Sequence, residues 1–170
     1  MKKVVITGIG MLCASGNGKD AAWANLKAGK PGIGRITAFD PSRCTCQVAG
    51  EVKDFDKYAI EGGLVDKRAA RHMARFSQFA VAAAVEAWKD AGYTAEQKPD
   101  MDRVGVMMGV GIGGLEVTGE NYFTLFEKGP DRVSPLAVPE LIPNEAAGNI
   151  SIALGTKGPA QVVATACASS

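Results

Sequence analysis

Apolar positions along the chain fall into short runs and one long periodic stretch. Val4, Val5 and Ile6 form a β-branched run bounded by Gly8 and Gly10, so Lys3 to Thr7 reads as a buried strand. A Gly/Ser/Asn loop fills residues 11–18. Lys19 to Ala28 then reads as a helix, stopped by Gly29-Lys30-Pro31-Gly32. Residues 33–65 are less regular, with one short strand between Gln47 and Val52. The clearest periodicity follows. Met73, Phe76, Ala80, Ala83, Ala84, Ala87, Trp88 and Ala91 recur at helical spacing, and Phe79, Val81 and Val85 widen the apolar face. They predict a helix from Arg71 to Ala91, buried on most sides at its middle and capped by Gly92.

A second buried strand, Arg103 to Val110, enters Gly111-Ile112-Gly113-Gly114 and then a helix from Leu115 to Glu127 that Gly129-Pro130 ends. Residues 134–143 carry Pro135, Pro139 and Pro143, which require irregular backbone. Asn144 to Leu154 reads as a helix ended by Gly155, and Ala160 to Thr165 as a third strand. Strands alternating with helices place the chain in the α/β class with a mostly parallel central sheet. No repeat at solenoid or propeller periods is visible.

Composition narrows the function classes. The 170 residues suit one domain. A net charge of +1 argues against general electrostatic attachment to nucleic acid or a membrane. The apolar run after Met1-Lys2-Lys3 is too short for a leader or a membrane span, so the expected location is the cytoplasm. Cys13, Cys44, Cys46 and Cys167 are then expected to be reduced. Cys44-Thr45-Cys46 is C-x-C rather than C-x-x-C, and His72 is the only histidine. A Cys/His metal site therefore has too few ligands, and no metal or cofactor is expected.

Cys167 differs from the other three in its setting. It follows a strand directly, in Val162-Val163-Ala164-Thr165-Ala166-Cys167-Ala168-Ser169-Ser170, with small residues all round. At the first turn of a helix, unpaired N–H groups and the helix dipole favour a thiolate. Small neighbours leave room for a carbonyl to approach, which suits covalent acyl transfer. On composition alone, a buried small hydrophobe is the commoner role for such a cysteine.

The run Val-Ala-Thr-Ala-Cys-Ala-Ser-Ser resembles the nucleophile motif of the β-ketoacyl synthases, condensing enzymes of the thiolase superfamily. The opening Lys3 to Met11, the turn Gly111-Ile112-Gly113-Gly114, and Ser134 to Pro139 followed by Asn144 and Gly148 resemble other parts of that family, in the same order. The nearest likeness is to the synthase II type. The resemblance implies a thiolase-like fold, of which residues 1–170 form the N-terminal βαβαβ portion, with the C-terminal half outside this sequence. It also implies a chain-elongating 3-oxoacyl-[acyl-carrier-protein] synthase of fatty-acid biosynthesis. Cys167 would carry the acyl chain, and malonyl-carrier protein would condense with it after losing CO₂. The family's two catalytic histidines lie downstream of its cysteine, so the fragment alone is expected to be inactive.

The resemblance further implies that Ile112, Leu115, Ala137 and Ala166 line the acyl pocket. Plain core packing is the other reading of Leu115 and Ala166. Arg68, Arg71 and Arg75 fall at i, i+3 and i+7 with His72 among them. This is a solvated helix face on its own, and the region that meets the acidic carrier protein in the family. A homodimer is implied for the complete enzyme, through Val162 to Ala164. Two other readings stand beside this one. Gly109-x-Gly111-x-x-Gly114 satisfies a dinucleotide-binding pattern, although the opening turn does not. A non-catalytic chain-length-factor-like subunit is the other, and Cys167 speaks against it.

Overall fold

The computed structural model describes residues 3–169; Met1, Lys2 and the Ser170 that closes the cysteine motif lie outside them. Two short antiparallel ribbons come first. β1 (Leu12–Cys13) pairs with β2 (Gly16–Asn17), and β3 (Ile33–Arg35) with β4 (Val48–Gly50), with Gly34 opposite Ala49. Between them α1 (Lys19–Lys27) ends at the expected Gly29 break, with Gly29 at φ +65°. The strand expected within residues 47–52 is β4. Its partner β3 lies in the stretch that reads as irregular.

The expected strand at Lys3 to Thr7 is not formed. Among the described residues no strand lies beside it, and Val4 and Ile6 are 98% and 84% exposed. A strand needs a neighbour to satisfy its backbone, and among the described residues this segment has no backbone hydrogen-bond partner. The chain reaches α3 (Arg75–Asp90) only after it, with Asp90 Oδ2 accepting from Ile9 N at 2.9 Å and Glu86 Oε2 from Met11 N at 2.9 Å. A Cβ on Gly8 or Gly10 would collide with the Ala87 or Ala83 carbonyl, so these glycines permit the close approach. Tyr58 donates to Glu86 Oε1 at 3.1 Å, and burial together with that carboxylate pushes the phenol up to about 12.

The helix expected over 71–91 forms as α3 but starts four residues late, at Arg75, after a separate short helix. α2 (Lys67–Ala70) is capped by Asp66, whose carboxylate accepts from Arg68 N and Ala69 N. The chain then turns through Arg71 to Ala74 before α3 starts. Distant side chains make the break tolerable. Gln78 Nε2 donates to the Ala70 and Met73 carbonyls, both at 2.9 Å. Glu145 Oε1 accepts from Ala74 N at 3.1 Å, and Glu116 Oε1 from Arg75 N at 2.9 Å. These bonds occupy groups that a helix terminus otherwise leaves orphaned. Gly92, at φ +78°, closes α3 as expected.

Among the described residues the parallel sheet is one pair, β5 (Val106–Gly109) with β6 (Ala160–Val163), with Gly109 opposite Val163. The longer strand expected from Arg103 is shortened by a 3-10 turn at Met101–Arg103, capped by Asp100. Parallel strands require a long crossover. It holds α4 (Leu115–Lys128), α5 (Ala137–Leu141) and α6 (Glu145–Leu154). The proline-rich stretch is thus one short helical piece between irregular ends. α6 packs on α3 and on both strands of the pair. Ala82, Ala146 and Ala147, all buried, fit the close helix spacing. Phe55, Ala59, Val65, Val81 and Ile150 fill the core, and Phe55 meets Phe79 edge-on at 5.0 Å. The architecture is α/β, and it brings both carboxyl ends of the parallel pair to one edge.

Candidate active site

In open α/β sheets, ligands bind outside the carboxyl ends of the parallel strands. Two loops leave β5 and β6 there. β6 continues through Ala164 and Thr165 into a single 3-10 turn, Ala166–Ser169, which holds Cys167 as an exposed free thiol. A longer helix with Cys167 at its first turn is not present among the described residues. The backbone supplies a different device. Ala166 takes φ +52°, a left-handed conformation that costs a residue with a Cβ about 1–2 kcal/mol. A sharp, strained corner therefore turns the chain at the cysteine. Ser169 Oγ braces it, accepting from Thr165 N at 2.8 Å and lying 2.8 Å from the Ala166 carbonyl and 3.3 Å from that of Val110.

The other loop is Gly111 to Gly114. A Cβ on Gly111 would stand 3.6 Å from the Ala166 carbonyl, so the two loops are neighbours. Gly113 sits at φ +93°, where a Cβ would meet the Leu141 carbonyl at 2.5 Å, and one on Gly114 would meet the Glu140 carbonyl at 2.6 Å. Gly114 N donates to Leu141 O at 3.0 Å. The loop is packed against α5 and spends an N–H there, which counts against a free phosphate cradle at Gly109 to Gly114.

Ile112 is exposed at the loop tip and lines a cavity of about 280 Å³ with Phe76, Ala80, Met108 and Ala146. Ala166 adjoins Gly111. Leu115 opens α4 and is exposed, and Ala137 opens α5 and is half-buried. None of Leu115, Ala137, Ala166 or Cys167 is a wall of the Ile112 cavity. A second hollow, about 380 Å³, lies between α4 and α5 and is lined by Thr118, Asn121, Tyr122, Leu125, Val133 and Leu141. Its residues carry no sequence signal beyond helical apolar spacing.

The basic residues divide. Arg68, Arg71 and His72 are exposed on α2 and the turn after it. Arg75 does not share a helix face with them, because the chain breaks at 71–74. Its guanidinium lies 4.2 Å from the Phe55 ring centre and 4.8 Å from that of Phe79, and it bonds Asp56 Oδ1 at 3.2 Å. One acid near the site escaped sequence reasoning. Glu145 is half-buried, its Oε2 has no partner, and burial foremost, with the Glu140 and Glu116 charges adding, pushes it up to about 7 against the pull of Ala74 N–H and Asn149. Among the described residues no three His, Cys, Asp or Glu side chains gather as metal ligands, and no helix is long and apolar enough to cross a membrane.

Comparison with known proteins places this arrangement. A family model described as "Beta-ketoacyl synthase, N-terminal domain" matches residues 1–170. The 3-oxoacyl-[acyl-carrier-protein] synthase 2 of Staphylococcus aureus (strain COL) is 46% identical over 167 residues, which are 98% of this chain and 39% of that protein. Its namesake from Synechocystis sp. is 42% identical over the same shares. A solved structure described as the ishigamide ketosynthase/chain length factor superposes with a TM-score of 0.82 at 28% identity, covering 95% of this chain and 39% of its own. The chain spans about two-fifths of the length of the curated relatives it matches.

Proposed function

This chain belongs to the β-ketoacyl synthase family, and on that premise we propose that it is part of a chain-elongating 3-oxoacyl-[acyl-carrier-protein] synthase. The exposed Cys167, on a strained corner at the carboxyl end of a parallel strand, carries the reading. Its sulfur attacks the carbonyl carbon of an acyl thioester on carrier protein. The tetrahedral adduct collapses, the carrier's thiolate leaves with the proton the cysteine gave up, and the acyl group stays on Cys167. Malonyl-carrier protein then loses CO₂, and the electron pair left on its α-carbon attacks the Cys167 thioester. The new C–C bond gives a 3-oxoacyl chain two carbons longer, and Cys167 departs as thiolate.

Backbone N–H groups fixed near the developing oxyanion account for much of the rate in such transfers, and the Cys167 N–H is this chain's contribution. Stabilising the enolate falls to residues elsewhere in the longer protein, because His72 stands at the surface in the turn after α2.

Ile112 gates the acyl channel, and Leu115, Ala137 and Ala166 shape it. Acidic carrier protein docks on Arg68, Arg71 and His72, a small exposed basic patch suited to salt-sensitive association. Arg75 supports that surface from within. The outer edge of β6, with Val163 exposed, suits pairing with a second copy across a two-fold axis. A cytoplasmic location goes with this role.

The test is mass spectrometry of the full-length protein after incubation with acyl-carrier protein. One acyl group on the Cys167 peptide, and 3-oxoacyl product on adding malonyl-carrier protein, are expected. Acylation that survives Cys167→Ala would refute the assignment.

A further inference from the structure

One hydroxyl joins the two loops at the site. Ser169 Oγ accepts the Thr165 N–H at 2.8 Å, and its own proton is shared between the Ala166 carbonyl at 2.8 Å and the Val110 carbonyl at 3.3 Å. A serine hydroxyl offers one donor and two acceptor sites, so these three contacts use its proton and one lone pair. Cys167 lies between the anchors. Thr165 and Ala166 precede it, with Ala166 in the strained φ +52° corner, and Ser169 follows it. Val110 sits at the foot of the Gly111 to Gly114 loop and is already held to β6 by its N–H to Val163 O at 3.0 Å.

We propose that Ser169 is a positioning residue, whose hydroxyl fixes where the Cys167 sulfur and N–H stand relative to the Gly111–Ile112 loop. This rests on the reading of Cys167 as the acyl-accepting thiol. The hydroxyl does not touch the acyl group. It acts by holding two backbone segments in register, the kind of constraint that keeps a nucleophile in a near-attack position. Without it, the Thr165 N–H loses its partner, and the strained corner loses its tie to Val110 at the foot of the loop.

The test uses the full-length protein and single-turnover acylation of Cys167 from saturating acyl-carrier protein. The S169A variant is expected to acylate slower by on the order of 10–10²-fold, the scale of a displaced reacting group. KM for the acyl donor, melting temperature and alkylation of the exposed Cys44 should stay close to wild type. S169T, which keeps the hydroxyl, should recover most of the rate. If S169A does not fold, the near-isosteric pair S169T and S169V isolates the hydroxyl, with the threonine variant fast and the valine variant slow. Wild-type rates in S169A, or equal rates in S169T and S169V, overturn the proposal. A wild-type protein that never acylates Cys167 instead sinks the reading beneath it. Iodoacetamide labelling then still reads the tie, since equal Cys167 labelling rates in S169T and S169V overturn it.

Discussion

The substitution Glu145→Gln isolates the cost of placing a carboxylate where α3 begins. Glu145 is pushed from an ordinary 4.5 up to about 7, chiefly by burial. Below pH 4.5 the folded and unfolded chains both carry its proton. Between 4.5 and about 7 only the folded chain keeps it, so stability falls as pH rises through that window and levels off above it. At about 1.4 kcal/mol per pH unit the upper bound is about 3 kcal/mol, and solvent screening of a half-exposed group reduces it to about 1–2 kcal/mol. The side-chain amide oxygen of E145Q can keep the bonds from Ala74 N and Asn149, while the charge is gone. Urea denaturation at pH 5, 6, 7 and 8 is the assay. Groups common to both proteins cancel in the difference. E145Q should gain about 1–2 kcal/mol on wild type between pH 5 and pH 8. A difference that stays constant across that range would show that burial of this carboxylate carries no proton linkage, and the reasoning would fail.

Other outcomes follow from the same geometry. Charge reversal at Arg68 and Arg71 should raise KM for carrier-bound substrate and weaken its salt dependence, as steady-state kinetics at two ionic strengths would show. Arg75→Ala should leave that KM near wild type and lower stability by about 1–2 kcal/mol through the lost stacking on Phe55 and Phe79; a large KM effect without destabilisation would return Arg75 to the docking surface. Gly113→Ala places a Cβ against the Leu141 carbonyl at positive φ and should cost about 1–3 kcal/mol in a denaturation midpoint. Phe55→Ala, which empties the buried centre of the core, should cost about 3–5 kcal/mol in the same measurement.

Much of this is legible in the sequence where local signals and tertiary packing agree. Gly29, Gly92, Gly129 and Gly155 all stand at positive φ just after helices that the sequence pattern ends there. The α/β order and the place of Cys167 after a strand also follow from runs and breakers. The late start of α3 is hidden because the side chains that satisfy the backbone at Ala70 to Arg75, Gln78, Glu116 and Glu145, act across up to 71 positions of sequence. Lys3 to Thr7 has a strand's composition but finds no strand beside it among the described residues, and composition does not report neighbours. The brace at Ser169 is in plain view within the cysteine motif. Its role emerges only when Val110, 59 positions earlier, is brought beside it.

The exposed apolar stretch from Val4 to Ile6 has a practical consequence. Its N–H and C=O groups find no backbone partner among the described residues, while Glu86 and Asp90 pin the chain just beyond it. Such a β-branched ribbon invites any passing strand to zip onto it. This polypeptide should stick to itself as concentration rises, and a lysine substituted for Ile6 should keep it dispersed.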